Sequence, residues 1–359
     1  MRFLGRWLFR IYLMQLLTFV GAITAVLVTL EKLTRRTELP WKTRFFDRLL
    51  SPDSTVYPAL KQSFADDFEQ PTDGPGWSED QLPRLWGTCR ALAAALGCPP
   101  PDAIHLSVEP GDCMAWQSRV GDGPVRRHIA LSLLDLRLVS HDEARAVIAH
   151  ELVHAGFDHV RQGYDEAKQA TLMRAVWGRL PWPLRLGLLV PMGLYTIGVE
   201  SAAHAHEREA DRKAAAVVGG NHTARALERM MLQAPVLARV FAVVHARAAL
   251  GERAPQRLAE AAYQLYSRYE FSQLKEHAAA ESVVPGEQHP SLPERVAGSE
   301  REPSRAGIGG QRSFIEAYPE LLAAEELLTR TYFPDKAHHQ RSDASQLRRK
   351  ALAARLKRR

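Results

Sequence analysis

Residues 146–155 constrain the fold of this chain more than any other stretch. Ala146, Val147, Ile148 and Ala149 lead into His150-Glu151-Leu152-Val153-His154. The apolar neighbours point to a core, and two histidines and a glutamate go into it with them. A buried helix carrying these three without partners is costly, and a bound metal would offset that cost. Upstream, Ser140-His141-Asp142-Glu143 reads as a capping box, with Ser140 as cap and Glu143 reaching back. The helix it opens runs to about Ala155, and Gly156 can end it. Residues four apart on a helix share a face. His150 and His154 can therefore converge on one metal, with Glu151 pointing beside them at a metal-bound water.

Such a site needs a third protein ligand and an open position. His159 lies half a turn out of phase with His150 on a continuing helix. The better source is His206-Glu207-Arg208-Glu209-Ala210-Asp211. Glu207 and Asp211 share a face, and Glu209 points elsewhere. Glu207 can bind the metal, and Asp211 can accept the free N–H of a ligating histidine. Periodicity leaves His204 and His206 as rival ligands.

H-E-x-x-H followed downstream by E-x-x-A-D resembles the zinc metallopeptidase family of the bacterial heat-shock protease HtpX and the CaaX prenyl endopeptidase. The matching residues are Ala149 to His154 with Asp158-His159, then Glu207 to Asp211. His289-Pro290-Ser291-Leu292-Pro293-Glu294-Arg295 is similar to the family's H-P-x-x-x-x-R segment. The resemblance covers roughly residues 80–300. It implies that His150, His154 and Glu207 are ligands of Zn2+, Glu151 is the general base and Asp211 supports a ligand. It also places His289 and Arg295 near the site, where a polar side chain could steady the oxyanion. Members usually carry two N-terminal spans, and one is found here. The usual N-A-F-A-like strand appears as Cys113-Met114-Ala115-Trp116.

Residues 11–30 are uncharged and long enough to cross a bilayer as a helix. Arginines 2, 6 and 10 precede them, Lys32, Arg35 and Arg36 follow, and Trp7 and Tyr12 suit a membrane interface. The run exceeds a signal-peptide core and no A-x-A site follows, so a retained anchor is expected. The net charge of +6 hides a pattern: residues 1–48 sum to +6, residues 341–359 to +7, and the body to −7. Basic ends around an acidic body fit a membrane surface better than a nucleic-acid groove. Six Lys/Arg within 32–48 lean towards a cytoplasmic body. A mean hydropathy of −0.25 excludes a polytopic transporter. Three cysteines are too few for a disulfide framework.

Helical spacing covers residues 85–96, short strands are expected over 104–108, 113–120 and 125–133, and the pattern after 200 is almost wholly helical. Residues 186–199, between the two zinc motifs, are apolar or neutral. One metal held by both motifs requires an even number of crossings between them. The only possible first arm, 169–180, contains Arg174 and Arg179, which argues against a membrane hairpin. Residues 177–199 read instead as an interfacial or packed helical hairpin turning at Pro181-Trp182-Pro183. The tail, 346–359, suits adsorption to anionic lipid if it departs from a solvated default.

The expected fold is α+β and predominantly α: a zincin-like metallopeptidase domain with a small antiparallel sheet and one N-terminal transmembrane helix. The expected division is 1–48 as anchor and basic flank, 49–335 as the zinc metallopeptidase domain and 336–359 as a basic tail. The expected activity is zinc-dependent endopeptidase cleavage at a membrane, in membrane protein quality control. Its partners would be a protein or peptide substrate and membrane lipid, with no nucleic acid. The substrate would lie along an edge strand from 113–120 or 125–133. The alternative is a membrane-bound chaperone or scaffold with a structural metal. An intact Glu151 argues against it, since a structural site has no use for a base beside an open position.

Overall fold

The protein is described from a computed structural model over residues 76–119, 123–157, 159–179, 182–250, 254–267, 290–305 and 313–333, with Trp7 and Ile11. The rest of the expected anchor, the basic tail and His289 lie outside the described residues. The chain forms two compact units, one of 69–118, 124–159 and 208–359 and one of 1–68, 119–123 and 160–207.

In the first unit, α1 (Pro83–Leu96) has proline in its first turn and stops at Gly97, whose φ of 69° is left-handed. Three strands follow: β1 (Ala103–Ser107), β2 (Met114–Ser118) and β3 (Arg126–Ser132), in the order β1-β3-β2. β2 runs antiparallel to β3, with Met114 opposite Ala130. β1 runs parallel to β3, with Ala103 opposite His128. The expected antiparallel sheet is therefore mixed. The chain reverses between β1 and β2 but leaves one strand's width, which β3 fills. β3 is thus central, with both edges paired. This corrects the expectation that 125–133 might take a substrate strand, and leaves that edge to β2.

α2 (Leu133–Leu138) starts directly after β3, capped by Ser132 Oγ, which accepts from the Asp135 N–H at 3.1 Å. α3 (His141–Gly156) carries the capping box: the Ser140 N–H donates to Glu143 at 2.8 Å and the Glu143 N–H donates to Ser140 Oγ at 3.5 Å. α3 packs on α1, β2 and β3. Ile148, Ala149 and Leu152 are fully buried in the same core as Leu85, Leu92, Ile129 and Leu131. Each large aliphatic side chain buried there contributes about 1.5–3 kcal/mol. At Gly156 a Cβ would stand 2.6 Å from that of Cys98, so only glycine lets the end of α3 approach so closely.

α5 (Trp182–Val218) ends in this unit at Gly219, whose φ of 118° disfavours any side chain. Its last carbonyls are met by Arg305, which donates to Val217 O at 2.7 Å and Ala216 O at 2.6 Å. α6 (Gly220–Ala249), α7 (Leu258–Tyr266), α8 (Leu292–Glu300), α9 (Phe314–Ala317) and α10 (Pro319–Tyr332) complete the described part of the unit.

The second unit contains most of α4 (His159–Arg179) and α5 up to Glu207. α4 is described to Arg179 and α5 from Trp182; the turn expected at Pro181-Trp182-Pro183 falls partly outside the described residues. Tyr195 Oη donates to Glu166 O at 2.8 Å. This bond joins α5 to α4. Leu189, Val190 and Ile197 are exposed on α5. Among the described residues no helix is long and apolar enough to cross a membrane.

Asp135 gives the fold a pH dependence. Its side chain is fully buried; Oδ2 accepts from the Gly111 N–H at 2.7 Å and Oδ1 has no hydrogen bond. Burial pushes the carboxyl from 3.8 up to about 6. The folded chain therefore holds a proton that the unfolded chain releases. The resulting stability is complete below the lower value and is lost as pH rises through the upper one. Between pH 4 and 7 the wild type should lose on the order of 3 kcal/mol relative to Asp135→Asn. Urea unfolding of both proteins across this range checks it, and parallel curves would contradict it.

Candidate metal centre

α3 sets His150 and His154 one turn apart on one face, with ring centroids 4.6 Å apart and their Nε2 atoms separated by 3.0 Å. Two ring nitrogens that approach so closely share a proton or a cation. Glu207, on α5 and 8% exposed, completes the group: one ligand atom from each of His150, His154 and Glu207 lies within 4.8 Å of the others. It is the one group of three or more such side chains found among the described residues. His204 and His206, the rival ligands, are not in it.

Asp211, one turn beyond Glu207, presents Oδ1 3.0 Å from His150 Nδ1. A proton on Nδ1 directed at this carboxylate leaves the Nε2 lone pair facing His154. Arg295 grips the same carboxylate with two bonds, Nε to Oδ2 at 2.7 Å and Nη2 to Oδ1 at 2.8 Å. Burial works to raise the Asp211 carboxyl, but hydrogen bonds from Arg295 and His150 outweigh it and hold the carboxyl below its ordinary value. Arg295 is itself buried, on α8. It stands behind Asp211 and so reaches His150 through another side chain. Glu151 is 9% exposed on α3, beside both histidines in sequence.

Several neighbours were not legible in the sequence. His159, expected to aim away, lies with its ring edge-on to His154 at 5.4 Å between centroids. The reason is a break in the helix: α3 gives out at Phe157, and α4 begins at His159, so helical phase does not carry across. His159 Nε2 is 3.5 Å from Glu209, which also pairs with Lys213 at 2.9 Å. Lys213 Nζ sits 3.1 Å from the centre of the Phe157 ring. Gln117 of β2 donates to Ala155 O at 2.8 Å, fastening the edge strand to the end of α3. Burial pushes the thiol of Cys113, just before β2, well above its ordinary value, and the Asp135 and Glu151 carboxylates push the same way.

No protein-family model matches the chain, and no curated protein does. Among solved structures it is similar to Ste24p from S. mikatae, at 18% sequence identity and a TM-score of 0.35. The match covers 82% of this chain and 66% of Ste24p, so the chain spans just under two thirds of that protein's length. The likeness is a distant one.

Zinc affinity measured by chelator competition separates the acidic side chains. Glu207→Ala should lose most of it. Asp211→Asn should lose roughly 10- to 100-fold, the range for a group that orients a ligand. Glu209→Ala should keep it, because Glu209 contacts His159 and Lys213 and stands outside the ligand group. Loss of metal in Glu209→Ala with retention in Glu207→Ala would overturn this arrangement.

Proposed function

We propose that this chain is a membrane-anchored zinc metalloendopeptidase. The observation that carries the reading is the convergence of His150, His154 and Glu207 to within 4.8 Å, two imidazoles and a carboxylate. Two nitrogens and one carboxylate oxygen are the donor set of a catalytic zinc site with one position open. The Asp211 carboxylate at His150 Nδ1 supports the same assignment, because it orients that ring with its free nitrogen inward.

Bound there, zinc would polarise a scissile carbonyl and lower the pKa of water. The remaining roles belong to the chain's own residues. Glu151 accepts the proton of the attacking water and delivers it to the leaving amine. Asp211, clamped by Arg295, holds His150 in one tautomer. Arg295 acts through Asp211 and is a positioning residue. The family resemblance gives His289 a role near the oxyanion. β2, the edge strand tied to α3 through Gln117, pairs with an extended peptide substrate. Quality control of membrane proteins fits a site on a chain anchored in lipid.

Replacing Glu151 by Gln keeps size and hydrogen bonding but removes the base. Peptide cleavage should fall by on the order of 10²-fold or more, with zinc content unchanged. Undiminished turnover would rule the mechanism out.

The anchor is proposed from residues 11–30, with the body on the cytoplasmic side. Exposed Leu189, Val190 and Ile197 on α5 add an apolar surface suited to lipid. The full chain should stay with membranes during alkaline carbonate extraction. Its release into the soluble fraction would count against the anchor.

A further inference from the structure

A second concave surface lies near the start of α3. It has a volume of about 530 Å³ and is formed by α1, the first turns of α3 and the α9–α10 junction. Arg84, His141 and Arg145 bring basic groups to it, and Thr88 and Tyr318 bring hydroxyls. The remaining lining is Gly87 and two alanines, and no carboxylate lines it. Asp142 and Glu320 adjoin these groups from outside the lining: Asp142 pairs with Arg145 at 3.3 Å, and Glu320 accepts from the Arg84 backbone N–H at 3.1 Å.

The polar groups are tied together. Thr88 Oγ1 and Tyr318 Oη share a hydrogen bond of 2.6 Å, and His141 Nε2 stands 3.4 Å from the same phenol. His141 Nδ1 is buried and faces Asp142 Oδ1 at 3.6 Å, longer than a hydrogen bond. The imidazole is stacked on the Tyr318 ring, 5.9 Å between centroids at 9°. The Arg84 guanidinium is held over the junction by Ala317 O at 3.2 Å. Gly87 sits on the α1 side, where a Cβ would meet nothing within 4 Å.

We propose that this cavity binds a phosphate monoester. Two guanidiniums approaching from different helices suit a tetrahedral anion with several acceptor oxygens. Gly87 and two alanines on this open depression leave room for the organic part of the ester, while the Tyr318 ring is covered by His141 and Phe314 and serves only through its hydroxyl. The group could belong to a free metabolite or to a lipid head group, which share this chemistry.

The test uses the full chain in detergent and two probes. Phenyl phosphate is titrated by calorimetry, and vesicles of phosphatidylcholine doped with phosphatidic acid are used in co-sedimentation. Gly87→Leu fills the cavity from a position where its Cβ is unobstructed, and Arg84→Gln removes an exposed charge. Arg90→Gln makes the same charge change on α1 outside the cavity, where Arg90 pairs with Glu79. Phenyl phosphate should bind saturably, with affinity falling about tenfold or more in Gly87→Leu and Arg84→Gln and less than about twofold in Arg90→Gln. Vesicle binding sensitive to the first two variants, with phenyl phosphate inert, would uphold the site and assign it to a lipid head group. No binding of either probe, or binding that Gly87→Leu leaves intact, overturns the proposal.

Discussion

The contact between His150 Nδ1 and Asp211 is the constraint around which the candidate centre is organised. α3 is a core helix, and its apolar residues drive it inward with two imidazoles attached. The burial of Ile148, Ala149 and Leu152 contributes several kcal/mol at about 25 cal/mol per Å² of apolar surface. An isolated buried polar group would take much of that back. Asp211 meets the demand of His150, and Arg295 meets that of Asp211. Each partner is itself buried, so removal of one leaves the next uncompensated. That couples the ligand helix to α5 and α8 more firmly than a surface ion pair, with its 0–1 kcal/mol, would do.

The parts of this site that the sequence made legible are those written in local periodicity. The Ser140–Glu143 box needs only a helix start, and it is present. His150 with His154, and Glu207 with Asp211, need only the four-residue repeat. That repeat also separates Glu207 from Glu209, which stands with His159 and Lys213. What was hidden depends on breaks and on distant pairing. His159 escaped because a break at Phe157 resets the phase. Arg295 was expected near the site, and nothing local to it announces that Asp211, 84 positions earlier, would claim its guanidinium.

The sheet shows the same division. Three short strands were readable from alternation and turn residues, with boundaries within a few positions. Strand order was not. A β2–β3 hairpin is encoded nearby by Gly121-Asp122-Gly123-Pro124. The parallel β1–β3 pair joins segments separated by the whole of β2, and both strands pack against α2. That single topological fact leaves β2 as the edge strand beside the ligand helix.

α3 also sorts charge by sign. Its macrodipole places partial positive charge at Ser140 and partial negative charge near Gly156. His154 lies in the last turn, where a cation is favoured, roughly 20 Å along the axis from His141 at the other end. Asp142 and Glu143 already occupy the first turn, where anionic groups belong, and Arg229 lies 3.2 Å from Glu143. The dipole supplies only about 0.3–1 kcal/mol at an exposed end, too little to hold a ligand by itself. Close pairing matters more, as between Asp211 and His150 toward one end and between Arg145 and Asp142 at the other. Over its 16 residues the helix thus separates the acidic side chains of its first turn from the histidines toward its other end.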